Sequence, residues 1–442
     1  MLARQTLILG ITLIVLCATA PHPAVASAAA DLPASVRYVL NDVGRLIDQK
    51  AYDQAIEKLL AFQAKGGPAP ADAAQDTDAH RHPMTYFVLG NCHLMLEQYK
   101  QAEKDFNEVV RRQPDMVNAW LNLAKTCYEQ AHYNQAAGHF AQAYERASEK
   151  EKKPETLYYC AAAYLMAQQF KPSITAFERL MAAHADQIKP EWKAHWVHAL
   201  ISDGQSRRAL PYIKEVIAQT SGEEQIRWQE ILIHQYLQLK MTAEAAKYTQ
   251  GLTRQSPGMA RWWKLLGQIR LNAGDYAQAL GALTIYGFLT PLTVEEQKLW
   301  ADLNFQLGIP AQAAPVYKAL LAEKPNAQTL KSLVMAYRQL GRPEDALARL
   351  ETQDDLKDDP DLMMLRADLC YELKRFDEAA QTYLAAARRR HARTGQAWLM
   401  AGYAAWQNNE IETSRRAFKH AAGFDSQRKT ALLAMRQLER IN

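Results

Sequence analysis

The sequence predicts an all-α fold, a solenoid built from short antiparallel helix pairs. Three observations carry this. Amphipathic helical stretches of similar length follow one another along almost the whole of the 442 residues. They share one register, in which small, bulky and proline positions recur every 33 to 36 residues over most steps. Turn signals alternate with the helices, glycine inside a pair and proline between pairs. Self-similarity at this period marks architectures in which each unit buries its apolar face only against its neighbours. It overrides the roughly three globular domains that length alone suggests.

The register is visible in WWKLLGQIRLNAGDYAQALGAL (Trp262–Leu283) and again in NAWLNLAKTCYEQAHYNQAAGHF (Asn118–Phe140). Units start near residues 36, 83, 117, 154, 190, 226, 260, 294, 327, 360 and 395. Counting from each start, position 8 is small (Gly90, Ala124, Ala161, Gly267, Ala301, Ala367, Gly402). Position 20 is Ala or Ser throughout, from Ala55 to Ser414. Position 24 is mostly bulky (Phe106, Phe140, Phe177, Tyr317, Tyr383, Phe418), and position 32 is proline at Pro114, Pro257, Pro291 and Pro325. Positions 4, 7, 8 and 11 share one face of the first helix; 20, 24 and 27 share one face of the second. Small residues at 8 and 20 allow close approach, and residue 24 fills the space beside them. Gly204, Gly274, Gly308 and Gly341 near position 15 end the first helix in the left-handed conformation. Proline at 32 stops the second helix or starts the next first helix.

This pattern resembles the tetratricopeptide repeat, over about residues 36 to 424. The resemblance implies about eleven units in residues 29–425, wound into a right-handed superhelix whose first helices line the concave face. Residues 426–442 read as one further helix with a polar outer face, the cap. A loop insert at 65–82, rich in Ala, Pro, Gly and Asp, separates the first two units. Thr249 at position 24, and Asp42 and Arg366 at position 7, depart from the pattern.

The N-terminus has its own character. A basic start at Met1–Arg4 precedes an apolar run, Leu7–Leu16, too short to span a bilayer, then Ala-x-Ala sites at residues 24–28. Residues 1–28 therefore read as a cleavable signal peptide and place the mature chain in the periplasm. Cys17 raises a lipoprotein alternative, but Leu16 stands where lipidation wants a small residue; an uncleaved anchor is a further alternative. No later run is long enough to cross a membrane. The net charge of +4 is too small for the basic field a nucleic-acid partner needs.

Candidate chemistry is sparse. Cys127 and Cys370 at position 11 and Cys160 at position 7 fall in the core, with Cys92 at position 10, so all four read as buried thiols. His195, His198 and His234 do not complete a metal set; His198 and His234, both at position 9, are expected to face the groove and titrate near neutrality. The acidic run Gln353–Asp361 ends in Asp359-Pro360, an N-cap followed by proline at the first helical position. From Arg388 onward there are eleven Lys or Arg against four Asp or Glu. Arg388, Arg389 and Arg390 suit a helix C-terminus and could also form a basic patch for an acidic partner. No nucleophile elbow, HExxH, P-loop or dinucleotide fingerprint occurs, and the repeats leave no residues over for a catalytic domain. No enzyme activity, cofactor or metal is expected.

Function is expected from the concave face, which the family builds from positions 2, 5, 6, 9, 12 and 13. In the early units these include Phe87, Asn91, Asn122, Lys125, Tyr128, Tyr158 and Tyr159. Aromatic density of this kind implies a protein or peptide partner. Asn91 and Asn122 match the two asparagines by which tail-binding members hold a peptide backbone. Phe87, Glu155 and Tyr159 stand where those members carry cations, so an extended apolar segment fits better than a terminal carboxylate. Trp262–Ala314 also resembles exported repeat proteins associated with TonB–ExbB–ExbD energy transduction. The expectation is a non-enzymatic periplasmic scaffold serving such a complex in the cell envelope. The alternatives are a scaffold for envelope biogenesis, polysaccharide export or secretion, or a chaperone-like binder of exported chains. The sequence leaves the oligomeric state open.

Overall fold

The computed structural model describes residues 32–67, 78–352, 359–389 and 391–441. The signal-peptide reading, the middle of the insert, the acids at 353–358 and Arg390 lie outside them. Among the described residues the structure is helical, with no strand. The chain divides into two compact units, residues 1–239 and 240–442.

The first unit holds α1 (Ala34–Asp48), α2 (Tyr52–Gln63), α3 (Pro83–Met95), α4 (Tyr99–Arg112), α5 (Val117–Glu129), α6 (Tyr133–Arg146), α7 (Pro154–Met166), α8 (Phe170–Ala183), α9 (Pro190–Ser202), α10 (Ser206–Gln219) and α11 (Gly222–Gln238). The second holds α12 (Thr242–Gln255), α13 (Ala260–Asn272), α14 (Tyr276–Leu289), α15 (Val294–Gln306), α16 (Pro310–Glu323), α17 (Ala327–Gln339), α18 (Pro343–Glu351), α19 (Pro360–Glu372), α20 (Phe376–Arg388), α21 (Thr394–Gln407), α22 (Ile411–Ala421) and α23 (Asp425–Ile441). Odd-numbered helices up to α21 are the first helices of the sequence units, and even-numbered ones the second. Within each compact unit every helix packs on the next. None is long and apolar enough to cross a membrane.

The close approach at positions 8 and 20 is real. A Cβ on Gly90 would lie 2.8 Å from the Phe106 ring, and one on Gly402 only 2.5 Å from Phe418. Where position 20 is serine, its hydroxyl donates to the carbonyl of position 8: Ser173 to Ala161 at 2.8 Å, Ser414 to Gly402 at 2.9 Å. Thr249, the small residue at position 24, is buried and turns its hydroxyl onto the Ala245 carbonyl at 2.8 Å.

Position 15 is left-handed in every unit. Gly204, Gly274, Gly308 and Gly341 have φ of +68° to +78°. Lys50, Glu97, Ala131, Gln168, Lys240, Lys374 and Asn409 hold the same conformation at φ of +57° to +61°. At Ala131 the return is closed by Ala131 N–H to the Tyr128 carbonyl (2.9 Å) and His132 N–H to the Cys127 carbonyl (2.8 Å). A side chain there costs about 1 to 2 kcal/mol relative to glycine, which the packing of both helices overrides.

The first helices bury more than positions 4, 7, 8 and 11. Position 3 (Thr85, Ala119, Thr156, Trp192, Trp228, Trp262) and position 10 (Cys92, Thr126, Gln235, Ile269, Leu369, Ala404) are buried too. The reason is a second contact face, against the preceding unit. Gln63 of α2 donates to the Thr85 hydroxyl at 3.2 Å, and Trp192 of α9 stacks on Tyr158 of α7 at 4.7 Å.

The described ends of the insert are tied down. Asp78 caps a short 3-10 turn at Ala79–Arg81 and accepts from Gly67 N–H at 3.0 Å, while Arg81 donates to the Gly67 carbonyl. Asp359 accepts from Asp361 and Leu362 N–H at 2.9 and 3.0 Å, capping α19 as its sequence predicts. In α23, Ala431, Ala434 and Leu438 are buried. Its outer face carries Arg428, Lys429 and Arg436 but also exposed Leu432 and Leu433, so it is less polar than expected.

Candidate partner-binding groove

The site is built from α3, α5 and α7. Their positions 6 and 9 meet across the seam between neighbouring first helices. Asn122 Nδ2 donates to Asn91 Oδ1 at 2.7 Å, and both residues are half-buried. An amide side chain has two donors and a carbonyl acceptor. The pairing leaves the Asn91 amide group and the Asn122 carbonyl without a partner among the described residues. Met95 at the end of α3 is 49% exposed and Met166 at the end of α7 is 37% exposed.

The aromatic residues separate into contacts and supports. Tyr128 is half-buried, with its ring edge-on to Tyr133 at 5.0 Å, and burial raises its hydroxyl to about 12. Tyr159 is half-buried, 5.6 Å from Phe140. Phe87 lies edge-on to Phe106 at 6.1 Å and joins the core under α3. Tyr158 corrects the sequence reading. It is 6% exposed, stacks on Trp192, and bonds through its hydroxyl to His195 Nδ1 at 2.9 Å. Position 5 of α7 is covered by α9, so Tyr158 braces Tyr159, 5.4 Å away, and is not a surface contact. Lys125 sits half-buried at position 9 of α5.

The histidines also differ from expectation. His198 is half-buried against Trp228, 5.1 Å away, and its Nε2 is buried without a partner. Burial first, then the neighbouring His195, lowers its pKa to about 4. It is neutral near pH 7 and does not titrate there. Burial lowers His195 as well. His234 is exposed and bonded to Gln238 at 2.9 Å. Position 9 therefore does not bring His198 and His234 out together, because Trp228 covers the first. Among the described residues no three His, Cys, Asp or Glu side chains converge on a metal-binding point. Cys92, Cys127, Cys160 and Cys370 are buried free thiols, and burial pushes the first three up to about 12. At such values they stay protonated near neutrality, which makes them poor nucleophiles.

In the second unit, Arg388 closes α20 and Arg389 is its C-cap, both exposed. Glu155 reaches Lys189 at 3.8 Å, with an acid where a carboxylate-binding site would need a cation. The sequence missed the Asn91–Asn122 pairing. Its signal was present, since positions 6 and 9 of consecutive units face one another once the register is set.

Comparison with known proteins agrees with this architecture. The tetratricopeptide repeat family model matches residues 87–152, 234–286, 298–353, 331–390 and 379–428. No curated protein matches the chain. Similar solved structures include the Naa15/Naa10 complex bound to HypK-THB, at 17% identity, 87% of this chain, 68% of that chain and TM-score 0.41. Another is the C-terminal part of a TPR repeat-containing protein from Cytophaga hutchinsonii (14%, 56%, 99% and 0.37). Yeast Tom70 is a third (13%, 92%, 95% and 0.30). With more than half of its length matched by the family model, this chain belongs to the tetratricopeptide repeat family, whose repeats are scaffolds that bind protein partners.

Proposed function

We propose that the chain is a cell-envelope scaffold that captures an extended, largely apolar peptide segment along α3, α5 and α7. The observation that carries this is the Asn91–Asn122 pair. It offers amide N–H donors and a carbonyl acceptor, the complement of a peptide backbone, on the same run of first helices that carries Tyr128, Tyr159 and the exposed Met95 and Met166. Backbone pairing supplies sequence-tolerant affinity, and aromatic anchors supply most of the energy in interfaces of this kind. The aromatic side chains are held by packing before any partner arrives, which lowers the ordering cost of binding.

The envelope setting rests on the N-terminal basic start, short apolar run and Ala-x-Ala sites. Within it, service to a TonB-type energy-transduction complex rests on the resemblance carried by Trp262–Ala314. Mass spectrometry of the mature protein tests the first: cleavage between Ala26 and Ala30 is expected, and an intact Met1 or a lipidated Cys17 contradicts it. Photo-crosslinking in cells from Tyr128 and Tyr159, with Arg388 and Arg389 as comparison positions, tests the groove. Adducts from the two tyrosines are expected. Adducts from the arginines alone move the site to the basic end of α20. Many unrelated exported chains in the adducts would favour a chaperone-like role over a dedicated scaffold.

A further inference from the structure

We propose that the outward face of α14 is a pairing surface between two copies of this chain. The proposal is independent of the groove and shares no residue with it. From Tyr276 to Val294 the sequence contains no charged side chain. α14 buries Ala279, Ala282, Leu283 and Tyr286 inward and turns Ala277, Gly281, Ile285 and Phe288 outward, on one helical face. Phe288 is 84% exposed, and Leu289 and Val294 beside it are exposed as well. The same register positions on α4 are Lys100, Lys104, Glu108 and Arg111, a solvated outer face. An apolar stripe that ends in the 84% exposed Phe288, at positions that are charged on α4, marks an interaction surface.

The stripe is graded in size, and this selects the occupant. Its first half is small: a Cβ on Gly281 would meet nothing within 4 Å. Its second half is bulky, with Ile285 and Phe288. Two such helices crossing antiparallel about a two-fold axis place the bulky half of each on the small half of the other, so every contact is made twice. Neither copy brings a charge to the seam, so no like-charge repulsion opposes the pairing. A charged partner would leave its own charges desolvated and unmatched there.

The test is sedimentation equilibrium of the purified chain, as processed in its host, across the micromolar range. The wild-type chain is expected to reach twice its monomer mass, and Phe288→Asp to stay at monomer mass. Phe288 is almost fully exposed in the single chain, so circular dichroism and thermal unfolding of the variant should match the wild type. Mixing Phe288→Asp with Ala277→Lys chains should restore pairing, since residue 288 of one copy faces residue 277 of the other. A wild-type chain that stays monomeric throughout overturns the proposal, as does a Phe288→Asp chain that still dimerises. A monomer that floats with neutral phosphatidylcholine vesicles in a Phe288-dependent way would assign the face to a lipid surface and equally overturn it.

Discussion

Position 24 is occupied differently in repeats of the first compact unit and in two repeats of the second, although Phe418 of α22 keeps phenylalanine. In α4, α6 and α8 it is phenylalanine: Phe106, Phe140 and Phe177. In α16 and α20 it is tyrosine, and the hydroxyl donates to the position-9 carboxylate of the paired first helix. Tyr317 reaches Asp302 at 2.7 Å and Tyr383 reaches Asp368 at 2.5 Å. The tyrosine hydroxyl holds the position-9 carboxylate in those two pairs, whereas beside Phe106 the position-9 Asn91 pairs with Asn122 across the seam. The amide pair therefore belongs to the first unit, and the carboxylates held by tyrosine to the second.

The largest effect should come from the packing both units share. Gly90→Val puts side-chain atoms inside the Phe106 ring contact. Overpacking of this kind costs about 3 kcal/mol. Chemical denaturation should show the loss, strongest in the amide exchange of α3 to α6. Unchanged stability would mean that position 8 is not the close approach.

The next effect is that of acid on the first unit. His198 has a folded pKa of about 4 against 6.5 for the free side chain. A histidine depressed in this way favours the neutral fold. Its contribution is intact above pH 6.5 and is lost as pH falls toward 4, a loss on the order of 3 kcal/mol. Asp105 runs the other way. Burial raises it to about 6, against the pull of His93 at 2.6 Å, so stability it withholds at neutral pH returns as pH falls. The readout is therefore the difference between the wild type and His198→Gln from pH 7 to pH 4.5, which should widen in favour of the variant. Parallel curves would contradict the burial of His198.

Tyr383→Phe tests the contrast at position 24. It removes a hydroxyl bond to a carboxylate and should cost about 2 kcal/mol, while Phe106→Tyr should draw Asn91 inward and weaken peptide capture. A smaller gain is expected from Ala131→Gly, which relieves a left-handed alanine at φ +59° and should stabilise by about 1 kcal/mol in thermal unfolding. The first unit has Gly204 alone at this position, and the second has Gly274, Gly308 and Gly341.

The register, the approach of Gly90 to Phe106, the turn glycines and the Asp359 cap were legible in the sequence because each is a local rule repeated many times. What was not legible depends on which neighbour a face meets. Burial of positions 3 and 10, of Tyr158 under Trp192 and of His198 under Trp228 follows from contacts between units, and a single helix's periodicity does not specify them. The left-handed Lys50, Glu97 and Ala131 were hidden because their side chains oppose the conformation that packing imposes. The exposed stripe of α14 was masked by its hydrophobicity, which reads as core.

The central claim is that the paired amides of the first unit hold a peptide backbone. Calorimetric titration of the crosslinked partner segment onto the wild type and onto Asn91→Ala/Asn122→Ala tests it most directly. At least tenfold weaker binding, about 1.4 kcal/mol, with an unchanged helical spectrum, is the expected result. Equal affinity for both proteins would contradict it.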